Sequence, residues 1–467
     1  MNCKPCRSFA AACLAVISFG AWAAAPADSV DNELVLKGKY LATAGDCIAC
    51  HTVAGGKPFA GGLHTPTPVG DIISTNITPS KTSGIGNYTL EQFTRVMREG
   101  IRADGKHLYP AMPYTAYAKT SDEDMRALYA YFMHGVEPVD TSPPPTQLPF
   151  PFNIRLSMAV WNMLFLDPTP FRPDPDQDAV WNRGAYLARG LTHCTTCHTP
   201  RNFLLAEDLS RELAGGQVGP WYAPNITSDE RSGIGGWSTQ EIVDYLATGH
   251  TAKAQASGPM AEAVDYSLSH LTEADLQALA TYVKTVPAVH DAQDTKAVFA
   301  WGEAVDHLDT VRGVPWPSDP GQMTGAQLYS AHCATCHQAQ AQGSFTGELP
   351  ALFHNTATGR LQTNNLVLTI LDGIQQHGKE PGTIMPGFRT VMSDAQVATL
   401  GNYLMQNYGN PAGTVSAEQV STLRNGTVQS PVDLVLLARA GLVVAGLIIL
   451  AIILAFALRR RRSSRRR

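Results

Sequence analysis

Three copies of the motif Cys-x-x-Cys-His are the residues of this chain with the clearest chemistry. "CIACH" ends at His51, "CTTCH" ends at His198 and "CATCH" ends at His337. Two thiols at this spacing reach the two vinyl groups of one haem and form thioethers, while the adjacent histidine ligates the iron. A thioredoxin-like redox pair does not need that histidine, and a zinc site would need further Cys or His pairs. The motifs therefore predict three covalently bound haem c groups.

The predicted attachment residues are the six cysteines Cys47, Cys50, Cys194, Cys197, Cys333 and Cys336, which include every cysteine beyond the first 25 residues. No cysteine of the predicted mature chain is left for a structural disulfide. The predicted iron ligands on the first side of each haem are His51, His198 and His337. Because each iron takes protein ligands on both sides, we predict no catalytic residue in this chain.

A methionine is the expected second ligand of each iron, since a thioether stabilises ferrous iron and raises the reduction potential. Met112 in "LYPAMPY" and Met385 in "TIMPGF" each precede a proline and lie before a predicted helix. Met260 in "SGPMAEAV" lacks that proline, and His250 and His270 are its rivals. Three further methionines lie on helix-like segments and are predicted to pack in cores: Met97, Met125 and Met133.

A repeated phrase lies between the histidine and the methionine of the first two copies. "NITPSKTSGIG" begins at Asn76 and "NITSDERSGIG" at Asn225, whereas the third copy has "LPALFHNTATG". Two interpretations stay open. The phrase is a repeated surface turn, or it positions a carbonyl near Thr75, Pro224 or Pro350 that accepts the other ring proton of the ligand histidine. The glycines in the phrase permit close backbone approach in either case.

Helical segments flank each motif. Upstream, "GKYLATAGDCIACH", "GAYLARGLTHCTTCH" and "GAQLYSAHCATCH" predict a short helix running into the cysteines. Downstream, "SDEDMRALYAYFMHG", "TEADLQALATYVKTV" and "SDAQVATLGNYLMQNYG" have helical periodicity and capping signals. The capping pairs are Ser121 with Asp124, Thr272 with Asp275 and Ser393 with Gln396, the aspartates being the weaker version. Leu128, Leu279 and Leu400 match and are predicted to be core residues, as are Tyr131, Tyr282 and Tyr403.

The fold class predicted is mainly α, with three tandem cytochrome-c-like haem domains followed by one C-terminal transmembrane helix. Proline-rich breaks separate the copies. The predicted ranges are a signal peptide at 1–25, domain 1 at 26–142, a linker with an apolar segment at 143–176, domain 2 at 177–290, a linker at 291–320, domain 3 at 321–412, a linker at 413–431, a membrane span at 432–458 and a basic cytoplasmic tail at 459–467.

Charge and hydropathy predict the topology. The first 25 residues have a basic start, an apolar stretch and small residues at the end, as secretory signals do. The apolar run at 434–458 is long enough to span a bilayer, and "RRRRSSRRR" follows it, so the tail is expected in the cytoplasm and the haem domains in the periplasm. Ten of the 35 basic residues lie in these segments, which leaves the external body acidic against 40 Asp and Glu. Nucleic acid is therefore excluded as its partner.

The chain resembles the three-haem cytochrome c subunits of membrane-bound bacterial dehydrogenases that oxidise alcohols, gluconate and other sugars or polyols. "GDCIACHTVAGGKPFAGG", "YPAMPY" and "ALYAYFMHG" look like the first domain of that family, "HCTTCHTPRN" and "GPMAEAV" like the second, and "CATCH" and "IMPGF" like the third. The resemblance favours Met260 as a ligand. It implies a subunit that takes electrons from a catalytic partner carrying flavin, PQQ or molybdenum and passes them to ubiquinone or onward to an oxidase.

Two other functions are considered. A multihaem peroxidase needs a haem with an open position, and the middle haem is the candidate if Met260 is not a ligand. A cytochrome c subunit of a terminal oxidase is the other alternative, although the span has no histidine for a haem b. The apolar stretch 154–165 is predicted to be buried, with partner or membrane contact as its alternative, because Ile154, Met158, Trp161 and Phe165 recur at helical spacing.

Overall fold

The computed structural model describes residues 31–347, 349–376, 384–426 and 433–464, with side chains up to residue 458. The predicted signal peptide and the side chains of the basic tail lie outside the described residues. The described chain is mostly helical, with four two-stranded antiparallel hairpins.

The first helical unit follows the order predicted around "CIACH". Its elements are α1 (Asn32–Ala44), α2 (Cys47–His51), β1 (His64–Thr67), β2 (Gly70–Ile73), α3 (Leu90–Glu99), α4 (Tyr114–Tyr117) and α5 (Asp122–His134). Helix α6 (Ser157–Phe165) follows in the predicted linker.

The second unit repeats this order around "CTTCH". Its elements are α7 (Ala179–Tyr186), which continues into a π-helical turn (Leu187–Leu191), then α8 (Cys194–His198), β3 (Gly216–Val218), β4 (Trp221–Ala223), α9 (Thr239–Thr248), β5 (His250–Thr251), β6 (Ala254–Gln255), α10 (Pro259–Tyr266) and α11 (Glu273–Val283).

The third unit is built around "CATCH" and is followed by one long helix. The elements are α12 (Gly325–His332), α13 (Ala334–His337), α14 (Thr356–Gly359), α15 (Asn364–Asp372), β7 (Ile374–Gln375), β8 (Ile384–Met385), α16 (Asp394–Tyr408), α17 (Ala417–Arg424) and α18 (Leu434–Ser464).

In the first two units the helix that leads into the motif crosses the capped helix at a glycine. A Cβ atom on Gly38 of α1 would lie 1.9 Å from the carbonyl oxygen of Ala127 in α5. A Cβ atom on Gly184 of α7 would lie 2.0 Å from the carbonyl oxygen of Ala278 in α11. Only glycine allows two helix backbones to meet this closely. The glycine upstream of the motif is therefore a packing requirement of the helix crossing in these two units.

The predicted caps are confirmed, and so are most of the predicted core positions, although Tyr131, Met133 and Tyr403 are only partly buried. Ser121 Oγ, Thr272 Oγ1 and Ser393 Oγ each accept a hydrogen bond from the backbone three residues on, at 3.1, 3.2 and 3.3 Å. Gln396 completes a capping box by accepting from the Ser393 N–H. The matched leucines are at most 1% exposed, at positions Leu128, Leu279 and Leu400. Met97 and Met125 are also buried in the core.

The first and second units share one hydrophobic core, and two equivalent tyrosines cross between them. Tyr40 of α1 donates to Asp275 of α11 at 2.6 Å, and Tyr186 of α7 donates to Asp124 of α5 at 2.6 Å. Each carboxylate is therefore used across the interface, which is why neither aspartate closes a capping box. The two units form a pseudo-symmetric pair in which the same patch is used twice, as in a twofold interface.

The third unit has its own core and docks on the second through backbone hydrogen bonds. The Asn365 side chain accepts from the Tyr222 N–H at 2.9 Å and donates to the Tyr222 carbonyl at 2.8 Å. The Thr356 N–H donates to the Lys253 carbonyl at 2.8 Å. Trp221 of the second unit packs against the third unit's core. The second unit thus contacts both of its neighbours.

Helix α6 departs from the prediction of burial. Trp161 is buried and Met158 and Phe165 pack beside it, but Leu156 and Met163 are 73% and 77% exposed. The helix is apolar on every side, so packing one face leaves the opposite face outside the core. The preference for burial was therefore wrong for half of this helix, and its exposed apolar face remains available for contact.

Helix α18 agrees with the predicted span. Within the described residues it is the one helix long and apolar enough to cross a bilayer, over Leu434–Leu458, and none of that stretch is buried in the protein. Its first residue, Leu434, packs against a small cluster formed by Val69, Tyr109 and Leu148. Membrane anchoring therefore fits this helix.

Candidate haem sites

Each motif forms a short helix that holds its histidine and at least its second cysteine on one turn. These are α2, α8 and α13. In the first two, the residue before the first cysteine has a left-handed backbone, with φ of 51° at Asp46 and 38° at His193. This reversal turns the chain from the leading helix into the motif. The thiols and the histidine therefore project from one compact turn in all three copies.

Each motif histidine donates a hydrogen bond to a backbone carbonyl. The distances from Nδ1 are 2.6 Å for His51 to Thr75, 2.7 Å for His198 to Pro224 and 2.9 Å for His337 to Pro350. A carbonyl oxygen only accepts, so Nδ1 carries the proton and Nε2 is left with its lone pair for a metal. The three carbonyls named from the sequence are therefore confirmed as acceptors.

Burial keeps these histidines in the neutral form. It lowers the pKa of the His51, His198 and His337 rings, although the hydrogen bond to the carbonyl acts in the opposite direction in each case. A neutral imidazole is the form that ligates a metal ion. The three rings are thus held in the tautomer and the charge state that haem ligation requires.

The repeated Asn-Ile-Thr phrase forms a buried, hydrogen-bonded loop directly after the residue whose carbonyl accepts from the motif histidine. This loop is called the brace. Asn76 Oδ1 accepts from the Thr78 N–H at 2.8 Å, and Asn76 Nδ2 donates to the Val139 carbonyl at 2.7 Å. Asn225, Thr227 and Val289 make the same hydrogen bonds in the second unit. Asn76 and Thr78 are 4% and 0% exposed, so the interpretation as a surface turn was wrong.

A cavity of about 230 Å³ in the second unit brings the predicted ligands together. Cys194, Cys197, His198 and Met260 all line it. The two rival histidines do not line this cavity. His250 Nδ1 instead contacts Gln255 Oε1 at 2.7 Å, and His270 Nε2 contacts the Asp265 carbonyl at 2.9 Å. Met260 is therefore the better placed candidate for the second ligand of that iron.

The rest of the cavity fits a large apolar group. Apolar side chains dominate its wall, among them Ile226, Ile234, Leu246 and Val283. Trp237 also lines it. The apolar wall, together with the two thiols, the histidine and the methionine, therefore suits haem c.

Met112 and Met385 occupy the same place in chain order as Met260, between the motif and the capped helix. Met112 immediately precedes Pro113 and α4 and packs against the shared core. Met385 lies in β8, paired with Ile374 of β7. Their role as ligands stays a prediction.

The thiols do not suit redox exchange. Loss of contact with water raises the pKa of the partly buried thiols of Cys47 and Cys333 to about 12 and that of Cys197 to about 11. A reactive Cys-x-x-Cys pair needs a lowered thiol pKa. Among the described residues, no three His, Cys, Asp or Glu side chains are grouped to hold a metal ion. Haem attachment remains the chemistry that the motifs support.

The first and second sites adjoin across the shared core. Asp46 directly precedes Cys47 of the first site, yet it lines the cavity of the second. Burial, with a smaller effect from Glu262, raises the pKa of Asp46 to about 8. Motif spacing carried no signal for this contact, since the residues belong to different units.

Helical units with Cys-x-x-Cys-His turns and neutral, carbonyl-bonded histidines define a c-type cytochrome. A family model described as "Cytochrome c" matches residues 35–135 and 322–407. The chain is 46% identical over 413 residues to the fructose dehydrogenase cytochrome subunit of Gluconobacter japonicus, covering 86% of this chain and 85% of that one. It is 40% identical over 439 residues to the gluconate 2-dehydrogenase cytochrome c subunit of Pantoea cypripedii, covering 91% and 96%.

A third relative is the cytochrome c subunit of alcohol dehydrogenase (quinone) from Gluconobacter oxydans (strain 621H), 38% identical over 433 residues and covering 90% of this chain and 87% of that one. The chain belongs to the family of cytochrome c subunits of membrane-bound dehydrogenases. The resemblance inferred from its motifs is confirmed, and the role of the chain is electron transfer.

Proposed function

We propose that this chain carries electrons through three haem c groups, from a catalytic dehydrogenase subunit that oxidises a sugar, a sugar acid or an alcohol to ubiquinone or the respiratory chain. The observation that supports it most is the threefold repetition of one ligand geometry, in which a partly buried neutral histidine donates from Nδ1 to a backbone carbonyl. Bound haem c would supply a one-electron couple at each site. The names of the relatives support the class of partner.

The three predicted domains form a series with the second in the middle. The second unit shares a core with the first and is joined to the third by backbone hydrogen bonds. Asp46 touches both of the first two sites, because it precedes Cys47 and lines the second cavity. Electrons that travel the length of the chain would therefore pass through the second haem.

Met260 supports electron transfer over the peroxidase alternative. It lines the same cavity as His198, so it would fill the position that a peroxidase leaves open. We propose Met112 and Met385 for the same role in the first and third sites. The catalytic partner would hold flavin, PQQ or molybdenum, and the chemistry on the organic substrate would belong to that subunit.

We further propose that α18 anchors the chain in the cytoplasmic membrane with the haem domains in the periplasm. The start of α18 contacts the linker that precedes α6, since Arg439 Nε donates to the Phe150 carbonyl at 3.0 Å. Helix α6 and its exposed apolar side chains follow Phe150 by a few residues. This end of the body therefore faces the bilayer.

The test is to solubilise the protein from its native membrane in mild detergent, identify the subunits that purify with it, and follow haem absorbance as alcohols, gluconate and sugars are added singly. We expect one substrate class to reduce the haems and a ubiquinone analogue to reoxidise them. Purification of the chain without a dehydrogenase subunit, with no reduction by any of these substrates, would contradict the proposal.

A further inference from the structure

One wall of the cavity in the second unit is formed by residues of the third unit. Thr356, Ala357, Arg360, Gln362 and Asn365 all belong to the third unit, and all line the cavity that holds Cys194, His198 and Met260. The docking contacts described above place these residues there, since Asn365 is bonded to the backbone of Tyr222 and Thr356 to that of Lys253. The third unit therefore completes the second site.

Arg360 is the charged member of that wall, and no anion pairs with it directly. Its Nη1 donates to the Ser232 carbonyl at 3.3 Å, and no carboxylate lies within ion-pair distance of its guanidinium in the described part of the chain. Asp294 acts on the guanidinium electrostatically, but from beyond that distance. A guanidinium stays charged even where burial lowers its pKa, as it does here. A charge that is partly removed from water is stabilised by an opposite charge in contact with it, so a negative group on the occupant of the cavity would pair with Arg360.

Arg360 shares the cavity with the predicted ligands of the second haem. It acts electrostatically on Tyr222 and Tyr245, which line the cavity, and on the His198 ring. The propionates are the negatively charged groups that a haem held at Cys194 and Cys197 would bring into this cavity.

We propose that Arg360, contributed by the third unit, forms an ion pair with a propionate of the haem held by the second unit. Arginine suits this role because its planar fork matches a carboxylate with two parallel hydrogen bonds. The inference rests on the proposed function, since it requires a haem at Cys194 and Cys197.

The consequence is that the second haem senses whether the third unit is docked. A positive charge beside the haem stabilises the ferrous state, because reduction removes one positive charge from the iron. Arg360 therefore raises the reduction potential of the middle haem only while the third unit is in place. This couples the electrochemistry of the middle carrier to the arrangement of its neighbour.

The experiment compares Arg360→Gln and Arg360→Lys with Arg231→Gln in the haem-loaded full chain. Arg231 is an exposed arginine next to Ser232 and forms no ion pair in the described residues, so its replacement removes the same charge outside the cavity. The number of haems per chain is measured first. The reduction potential of the second haem is then identified in a redox titration as the transition that is absent from a Cys194→Ala/Cys197→Ala variant.

We expect Arg360→Gln to lower the potential of the second haem by a roughly tenfold change in its ferrous-to-ferric ratio, which is about 59 mV for a one-electron couple. The uncompensated propionate would also make that potential depend on pH near neutrality. Arg360→Lys should restore most of the potential, and Arg231→Gln should leave it unchanged. Loss of the second haem from the glutamine variant alone would also support the ion pair.

The inference is overturned if Arg360→Gln keeps three haems and moves the potential no more than Arg231→Gln does. A structure of the haem-loaded wild-type chain needs no variant: a guanidinium nitrogen within hydrogen-bond distance of a propionate oxygen supports the pair, and a guanidinium directed out of the cavity refutes it. A wild-type chain that holds no haem at Cys194 and Cys197 would instead refute the proposed function.

Discussion

Removing one hydroxyl from the interface of the first two units should destabilise both of them. Tyr186 donates to Asp124 at 2.6 Å, and this hydrogen bond is buried. Tyr186→Phe would leave the Asp124 carboxylate, 8% exposed, with Lys37 at 2.8 Å as its remaining charged partner. A hydrogen bond to a charged acceptor contributes about 1.5–3 kcal/mol, so the free energy of unfolding should fall by about that amount.

The equivalent change on the other side of the interface should cost less. Tyr40→Phe removes a hydrogen bond of the same length, but Asp275 keeps two hydrogen bonds from Arg183, at 2.7 and 2.8 Å. We expect a loss of about 1 kcal/mol, in the range of an ordinary net hydrogen bond. The two equivalent substitutions should lower the free energy of unfolding by unequal amounts, because Asp124 retains Lys37 as its cation whereas Asp275 retains Arg183.

The assay is unfolding by guanidinium chloride in detergent, followed by the circular dichroism of the haems. Because the first two units share one core, we expect them to unfold together, which permits a free energy to be extracted. Tyr266→Phe is the control, since Tyr266 is 48% exposed. A cost for Tyr186→Phe within about 0.5 kcal/mol of that control, the usual span of surface changes, would refute this account of the interface.

Four further outcomes are expected. Met260→Ala should make the second haem high-spin and able to bind carbon monoxide, whereas His250→Gln should not; an unchanged spin state in the former would exclude Met260 as a ligand. Asn225→Ala should lower the free energy of unfolding by about 1–3 kcal/mol, because it leaves buried groups without partners; an unchanged denaturation midpoint would contradict the brace. Although burial acts to raise it, hydrogen bonds from Arg183 and Tyr40 bring the pKa of Asp275 below its usual value of 3.8. Its contribution to stability should therefore be present above pH 3.8 and be lost as the pH falls through the lower folded pKa, and Asp275→Asn should flatten this acid dependence of the denaturation midpoint. A chain ended after Gly426 should leave the membrane fraction, and its retention there would point to α6 or a partner as a second anchor.

Short-range features of the sequence predicted most of the local structure. The spacing within each motif, the capping residues and the position of Thr75 and Pro224 ahead of the brace all depend on neighbours along the chain. Such features are fixed by backbone geometry, so they can be inferred from one sequence. The structure agrees with them in each unit.

Contacts between units could not be predicted, because nothing in the local pattern marks them. Asp124 and Asp275 were interpreted as weak capping residues, whereas their carboxylates bind tyrosines of the other unit. Arg360 belongs to no recognisable motif, because its role depends on the docking of the third unit against the cavity of the second. Two interpretations failed for the related reason that burial depends on tertiary packing: the Asn-Ile-Thr phrase is buried, and α6 is apolar but half outside the core.

The central claim is that this chain holds three haems in series and is reduced by a dehydrogenase subunit. The most direct measurement is the number of haems reduced per chain, read from the haem absorbance, when the purified complex is mixed anaerobically with its substrate, compared with the same complex carrying Cys194→Ala/Cys197→Ala. The account predicts three reduced haems per wild-type chain, matching its three Cys-x-x-Cys-His motifs, and interrupted transfer to a ubiquinone analogue in the variant. Fewer than three reduced haems in the wild type, or undiminished quinone reduction without the middle haem, would contradict it.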